Sequence, residues 1–243
     1  RNYGDLIHEI TNKAMSKWPS PKPFSAHEAM QDITMDVILQ AIFGLYSGDR
    51  YQKLKQLFFK RLEMTGSPVG ALLLYFPIFQ KDWGSWSPWG RIMQVIRQID
   101  EILFAEISER RAKPDPERTD ILSLLMSARD ENGEGMADGE LRDQMMTLLF
   151  AGHETTATSL AWTLYWLHTY PEIKQKLLQE LDSLPENAEA MEIFRLPYLS
   201  AVCNETLRLC PVGMLTFPRV VQSPVEIMGY KFEPGTELMG SIY

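Results

Sequence analysis

The segment from about Asp138 to Thr169 constrains the fold most strongly, because a helical pattern runs through it for roughly thirty residues without a proline. Its centre is unusual for a buried helix. Gly152 and the four Thr and Ser residues at positions 155–159 lower the helix propensity there. A requirement other than helix stability must therefore favour these residues.

One face of this predicted helix carries mostly small side chains. They recur at helical spacing and form a shallow surface against which a flat object could lie: Leu148, Ala151, Thr155 and Ser159. The Thr155 hydroxyl is expected to donate to the Ala151 carbonyl four residues earlier. Together with Gly152, this bond would bend or open the helix locally and leave room for a water molecule.

An acidic residue lies beside a hydroxyl in the same stretch. Glu154 next to Thr155 inside a largely apolar helix is the arrangement expected of a proton relay. The alternative is a helix–helix contact made of small residues with an exposed Glu154, and the helix by itself leaves both open. His153 is expected to be a surface residue or a neighbour of the site rather than a ligand, because it has no partner at metal-binding spacing.

The rest of the chain is predicted to be mainly α, with a little β near its C-terminal end. Helical periodicity dominates, and its breaks fall where Pro and Gly cluster. Ser25 and Glu28 form a capping box, and Thr119 is expected to cap a short helix. The other predicted helices are 1–18, 26–44, 49–65, 88–113, 119–131, 171–185 and 197–209, with an apolar loop at 69–79 and strands at 218–222, 225–228 and 230–232.

Two motifs carry a family resemblance. Residues 151–156, AGHETT, resemble the (A/G)Gx(D/E)T(T/S) motif in the central long helix of cytochromes P450, and residues 198–211 resemble the family's ExxR helix with its following proline. Glu205 and Arg208 are three residues apart and can pair, although a surface pair would be worth little. Apolar flanks predict instead a helix embedded in protein: Leu199, Val202, Leu207 and Leu209.

The following segment extends the resemblance. Arg219 falls where the family has a strand arginine that contacts a haem propionate, and residues 227–230 and 233–235 resemble the hairpin after it. The motifs, their separation and the arginine agree in order. The resemblance implies a mainly α cytochrome P450 fold, incomplete here, with a long central helix and a small β region, and residues 1–243 as part of a single P450 domain.

The resemblance also implies a cofactor and residue roles. Haem b is expected, with its iron-ligand cysteine outside this chain and no metal ligand within it, and with electrons from NAD(P)H through a ferredoxin or flavodoxin/reductase partner. Thr155 would orient a water and Glu154 would connect it to solvent, as the catalytic pair. Glu205 and Arg208 would be a structural ion pair. The expected cofactor contacts are Leu148, Ala151, Gly152 and Arg219.

A hydrophobic substrate is implied as well, such as a fatty acid, an alkane or a terpenoid. AGHETT-type chains resemble fatty-acid hydroxylases more than camphor-type enzymes. Contacts are expected from residues 62–74 and 212–216 and from the central helix. The individual substrate residues are Thr147, Val212, Leu215 and Thr216.

Parts of the family pattern do not occur in the chain. Neither the FxxGxRxCxG-like cysteine loop nor the WxxxR helix is present, and the first residue, Arg1, looks like a cut end. Cys203 is expected to be a small buried hydrophobe rather than the iron ligand. The chain is therefore expected to be an inactive internal fragment that folds poorly and binds haem weakly, because a buried Glu205–Arg208 pair would lack its third partner.

Composition limits the class of protein. Of the 243 residues, 45% are hydrophobic and 23% charged, as in an ordinary soluble globular protein, and the net charge of −8 argues against a nucleic-acid partner. Cys203 and Cys210 form no CxxC pair, which favours a reducing, cytoplasmic location. The longest apolar run, 69–79, is too short to span a bilayer, and a buried segment is preferred there to a membrane-contacting loop.

Two alternatives accompany the monooxygenase hypothesis. A P450-fold isomerase or peroxygenase would need no reductase, but such enzymes can dispense with the relay, so the intact Glu154–Thr155 pair disfavours it. A haem-free, degenerate scaffold without activity would truly lack the cysteine. The coding sequence on either side of residues 1–243 distinguishes the scaffold from an excerpt of an enzyme.

Overall fold

The computed structural model describes residues 3–19, 22–45, 47–185 and 187–242, and the chain divides into two units, Arg1–Ala157 and Thr158–Tyr243. Mainly α structure is confirmed. The α-helices of the described residues are α1 (Gly4–Met15), α2 (Ala26–Phe43), α3 (Asp49–Gly66), α4 (Pro68–Tyr75), α5 (Pro88–Ala112), α6 (Ile121–Ser127), α7 (Asp138–Thr169), α8 (Pro171–Asp182), α9 (Ala190–Phe194) and α10 (Pro197–Leu209). None of them is long and apolar enough to cross a membrane.

The first unit has a continuous apolar core. Helices α2, α3 and α5 and the first part of α7 turn their apolar sides towards one another, and burying each large side chain contributes about 1.5–3 kcal/mol. The fully buried members of this core include Met35, Leu39, Leu54, Ile99, Leu103, Met145 and Leu149. The core fixes the first part of α7 against α2, where the candidate site lies.

A buried ionic network joins α5 to α6. The Arg110 guanidinium donates to Glu106 Oε1 at 2.7 Å and to Asp120 Oδ1 at 2.5 Å, and it also donates to the Phe43 carbonyl at the end of α2. Asp120 accepts from the Ser123 amide at 2.9 Å and so caps α6. The prediction that Thr119 is the cap is therefore wrong by one residue.

Two helices were not predicted. Residues 69–79, expected as an apolar loop, begin within α4, because Pro68 fits its first turn and the Ser67 hydroxyl accepts from the Gly70 amide at 3.0 Å. The short helix α9 begins after Glu189, whose amide donates to the Glu192 carboxylate at 2.8 Å. The Ser25 cap of α2 is confirmed, since its hydroxyl accepts from the Glu28 amide.

Among its described residues, the second unit has four short strands. They are β1 (Arg219–Val220), β2 (Val225–Ile227), β3 (Tyr230–Phe232) and β4 (Glu237–Leu238), and β1 pairs with β4 while β2 pairs with β3, both antiparallel. Met228 and Gly229 turn the β2–β3 hairpin with φ of 52° and 85°, as in the two-residue turns that suit a twisted hairpin. The pairing strand β4 was not predicted.

Candidate functional site

His153 marks the side of α7 that faces α2. Its side chain is buried, with the residue 1% exposed, and its Nδ1 lies 2.9 Å from the Thr34 hydroxyl oxygen of α2. The Phe59 ring of α3 packs edge-on against the imidazole. Burial lowers the pKa of His153 below its usual 6.5, because the protonated form would lose hydration. A surface position, one of the two expected from sequence, is therefore wrong.

Gly152 lies at the same crossing of α7 and α2. A Cβ added at this position would be 3.0 Å from Cδ1 of Ile38 in α2. Close approach of the two helices accounts for glycine here without a cofactor. The contact between Gly152 and a cofactor, expected from sequence, stays a prediction.

The opposite side of α7 is open. Successive helix residues are about 100° apart, so Ala151 and Thr155, each two residues from His153, lie on roughly the far side of the helix. Both are exposed, as is Thr147 one turn earlier. The Thr155 hydroxyl donates to the Ala151 carbonyl, as the sequence predicted. Leu148 is half-buried and packs against the core.

Glu154 contacts α2 through both oxygens of its carboxylate. Oε1 lies 3.0 Å from Nε2 of His27, and Oε2 accepts from the Gln31 amide at 2.8 Å. The side chains of His27 and Glu154 are 42% and 40% exposed, so water reaches both. Glu154 was predicted to form a proton relay with the adjacent Thr155. Its carboxylate also lies against α2.

The α2 partners were missed by sequence analysis. His27, Gln31 and Thr34 recur at i, i+4 and i+7, with Ile38 continuing the row, so they share one face of α2. The first three residues of this row form a polar stripe, which is separate from the acidic row of Glu28, Asp32 and Asp36 on the same helix. A single sequence does not reveal which helix the stripe contacts.

The ExxR pair forms in the second unit. Arg208 donates two hydrogen bonds of 2.7 Å to the Glu205 carboxylate, which lowers the pKa of Glu205. The pairing is as predicted, but both side chains are exposed, at 55% and 67%. Leu207 and Cys203 are exposed too, whereas Val202 is buried, so α10 is embedded on one side only and the buried Cys203 expected from sequence is wrong for this chain. The predicted cost of a buried, incomplete pair does not arise here.

The remaining predicted residues follow α10. Val212 and Leu215 are exposed apolar residues, at 39% and 58%, and the Thr216 hydroxyl accepts from the Gly240 amide at 2.9 Å. Arg219 begins β1 with an exposed side chain. These residues belong to the second unit, whereas Thr147–Thr155 belong to the first.

Metal-ligating side chains do not cluster among the residues that the structure describes. No group of three or more His, Cys, Asp or Glu side chains in the described ranges could hold a metal ion. The open face of α7 nevertheless suits a planar apolar cofactor. Ala151 adds only a methyl group to it, and the Thr155 hydroxyl is already bonded to the helix.

The whole chain, residues 1–243, matches the protein-family model described as Cytochrome P450. The chain belongs to the cytochrome P450 family. Cytochrome P450 135B1 of Mycobacterium tuberculosis (strain ATCC 25618 / H37Rv) is 36% identical over 237 residues, covering 97% of this P450 chain and 48% of the relative. Cytochrome P450 137 of the same strain is 35% identical, covering 98% and 47%. The chain thus spans about half the length of the curated relatives it matches.

Solved P450 structures have the same fold. Retinoic acid bound cyanobacterial CYP120A1 superimposes with a TM-score of 0.80 at 23% identity, over 99% of this chain and 52% of that one. The cytochrome P450DA heme domain gives 0.79 at 24% identity, over 99% and 52%. The predicted P450 fold, with a long central helix and a small β region, is confirmed.

Proposed function

We propose that the full-length protein is a haem-thiolate monooxygenase that inserts one oxygen atom of O2 into a hydrophobic organic substrate. The observation that carries the proposal is the open face of α7, on which Ala151 and Thr155 are exposed and joined by a hydrogen bond, in a chain of the P450 family. Bound haem would supply dioxygen activation, which a thiolate ligand from outside this chain would promote.

The open face would position the cofactor. Ala151 would let the ring approach the helix, and the half-buried Leu148 would contact its edge. Arg219 has an exposed guanidinium, which suits a propionate carboxylate. Thr155 already donates its hydroxyl hydrogen to Ala151, so its oxygen can accept a hydrogen bond from a water and orient that water's second proton.

Glu154 would replace the proton that this water donates, by passing a proton to it from solvent. One oxygen atom goes into the product and the other leaves as water, which consumes two protons and two electrons. Solvent reaches the carboxylate, and α2 donates a hydrogen bond to it. It can therefore take up a proton from solvent on the α2 side, away from the exposed face of α7. Electrons would come from NAD(P)H through a ferredoxin or flavodoxin/reductase partner.

The substrate is proposed to be an apolar molecule, with a carboxylic acid of the fatty-acid or terpenoid type favoured. The residues proposed to contact it are exposed apolar or small polar residues that lie close in sequence to the AGHETT or ExxR motif: Thr147, Val212, Leu215 and Thr216. The solved CYP120A1 contains retinoic acid, an apolar carboxylic acid. The AGHETT sequence at 151–156 points in the same direction.

The proposal is tested on the purified full-length protein. Reduction under carbon monoxide should give the spectrum of thiolate-ligated haem. With NADPH, a ferredoxin and its reductase, dodecanoate should be hydroxylated, and the new oxygen should come from labelled O2 rather than from water. Protein without bound haem would establish the degenerate-scaffold alternative. Product formed with peroxide but not with NADPH would establish a peroxygenase.

A further inference from the structure

Two donors from α2 occupy the two oxygens of the Glu154 carboxylate separately. Nε2 of His27 lies 3.0 Å from Oε1, and Nε2 of Gln31 lies 2.8 Å from Oε2. His27 and Gln31 are four residues apart on one helix, so their side chains reach the carboxylate from adjacent turns. A carboxylate bonded through both oxygens has a fixed orientation, whereas a solvent-exposed glutamate samples several rotamers.

The direction of both hydrogen bonds is set by chemistry. An ionised carboxylate can only accept, so His27 donates its Nε2 proton and Gln31 donates from its amide nitrogen. Bonds to an ionised group are stronger than neutral ones and contribute about 1.5–3 kcal/mol each when shielded. Because the side chains of His27 and Glu154 are partly exposed, water screens their interaction and its contribution is below that range.

Two other basic side chains, His153 and Lys55, lie on the same side of α7. Nε2 of His153 lies 4.0 Å from Oε2 of Glu154, beyond hydrogen-bond distance. On the α2 and α3 side, Lys55 pairs with Asp32 at 3.3 Å and with Asp36 at 2.5 Å, so its charge is already balanced. His27 and Gln31 are the α2 side chains that hydrogen-bond to the two oxygens of the carboxylate.

We propose that His27 and Gln31 are positioning residues that hold the Glu154 carboxylate on the α2 side of α7 for proton uptake. The inference rests on the proposed monooxygenase function, in which Glu154 supplies protons to the water at Thr155. Residues 154 and 155 are about 100° apart around the helix, so the carboxylate takes up protons beside α2 while the hydroxyl faces the substrate side. Neither positioning residue touches substrate or cofactor.

The test uses the haem-loaded full-length enzyme with NADPH, a ferredoxin, its reductase and dodecanoate. The double variant His27→Ala/Gln31→Ala should release more of the consumed dioxygen as hydrogen peroxide, approaching the fraction released by Glu154→Gln. The dodecanoate concentration for half-maximal spectral change should stay as in the wild type, because the substrate side is untouched. His27→Gln keeps a donor to Oε1 and should restore most of the wild-type peroxide fraction.

A second measurement does not depend on turnover. Infrared difference spectra between each enzyme and its Glu154→Gln derivative isolate the carboxylate bands of Glu154. In the double variant these bands should shift towards those of a freely hydrated glutamate. The matched control is His8→Ala/Asn12→Ala, which removes another histidine–amide pair four residues apart, with 3.0 Å between Nε2 of His8 and Nδ2 of Asn12. It should change neither the peroxide fraction nor the infrared bands.

Three results would overturn the inference while leaving the monooxygenase function intact. The first is a wild-type peroxide fraction and infrared spectrum in the double variant. The second is a Glu154→Gln enzyme that behaves as the wild type, since there would then be no proton uptake to position for. The third is a His27→Gln enzyme that releases as large a peroxide fraction as the double variant. A wild-type enzyme that takes up no haem or oxygenates nothing would instead contradict the proposed function itself.

Discussion

Three successive residues of α7 have three different environments. His153 is buried against α2, Glu154 is half-exposed and bonded to α2, and Thr155 is exposed on the open face with its hydroxyl on the Ala151 carbonyl. The Thr155 bond was predictable, because it depends only on residues four apart within one helix. The burial of His153 was not, because it depends on which helix α7 packs against.

At position 155 we predict that Thr155→Ala uncouples oxygen use from product formation in the full-length enzyme. The variant lacks the hydroxyl oxygen that is proposed to orient the water that donates the proton. The measurement is product formed per dioxygen consumed, with a fall of roughly 10²-fold expected in coupled turnover for loss of a proton-transfer group. Thr155→Ser keeps the hydroxyl and serves as the control. Unchanged coupling in the alanine variant would remove Thr155 from the relay.

At position 153 we predict a pH-dependent contribution to stability. The pKa of His153 is lowered in the folded state, so above its ordinary value of 6.5 the residue is neutral in both states and the stability is complete. As the pH falls from 6.5 towards the lower pKa of the folded state, the unfolded state binds the proton and the folded state does not. The free energy of unfolding then falls by up to about 1.4 kcal/mol per pH unit.

Urea unfolding of the full-length protein between neutral and mildly acidic pH measures this slope. His153→Gln does not titrate, so its free energy of unfolding should fall less steeply than that of the wild type. The Thr34 hydroxyl is still satisfied in this variant, because it also donates to the Met30 carbonyl at 2.9 Å. His8→Gln, at an exposed histidine, should leave the slope unchanged. Parallel slopes for wild type and His153→Gln would contradict the assigned burial effect.

At the scale of elements, the crossing of α2 and α7 depends on the missing side chain of Gly152. We predict that Gly152→Leu destabilises the full-length protein by about 1–3 kcal/mol, because it overpacks the contact with Ile38. Gly152→Ala should be nearly neutral, since the gain in helix propensity, about 1 kcal/mol, offsets a small shift of the Ile38 end group. The measurement is the free energy of unfolding in urea.

The variant Ile38→Ala tests whether the contact with Ile38 causes the destabilisation by Gly152→Leu. If the clash with Ile38 is responsible, the double variant Gly152→Leu/Ile38→Ala is less destabilised than the sum of the single variants. Gly139→Leu is a matched control in the first turn of α7, where a Cβ would have nothing within 4 Å. Additive effects at positions 152 and 38 would assign the cost to something other than this contact.

Elements with strong local signals were predicted well. The bounds of α7 and α10 agree with the sequence to the residue, because Pro197 opens α10 and long periodicity defines α7. α4 was missed because its apolar residues lack a helical alternation with polar ones, and β4 because two residues carry too little pattern. The position of Glu154 against α2 was missed for a related reason, since long-range contacts leave no local signal.

At the scale of the whole molecule, the two units differ in how well they bury their apolar residues. Among the described residues of the second unit, four hydrophobic side chains are buried, at Leu177, Leu196, Val202 and Val221, whereas twenty large ones are exposed. The first unit has a core cluster of seventeen buried residues. The imbalance agrees with a chain that spans about half the length of its relatives.

The polypeptide 1–243 expressed alone is therefore expected to fold incompletely. Hydrogen exchange should be slow in α2, α3 and α5, which share the core of the first unit, and fast in α8 and α10, because few buried contacts protect them. Haem binding should be weak, because the cysteine loop expected to hold the iron is not among residues 1–243. A single cooperative melt, together with the carbon monoxide spectrum of thiolate haem, would contradict this expectation.

The arrangement around α7 has a consequence for laboratory evolution. Because His27 and Gln31 contact Glu154 from α2, whereas Thr147 lies on the exposed side of α7, the first set, positions 27 and 31, and the second, position 147, can be randomised in separate libraries. Substitutions in the first set would alter how efficiently reducing power is used, and substitutions in the second would alter which compounds are accepted. Gains from the two libraries could then be combined with little interference.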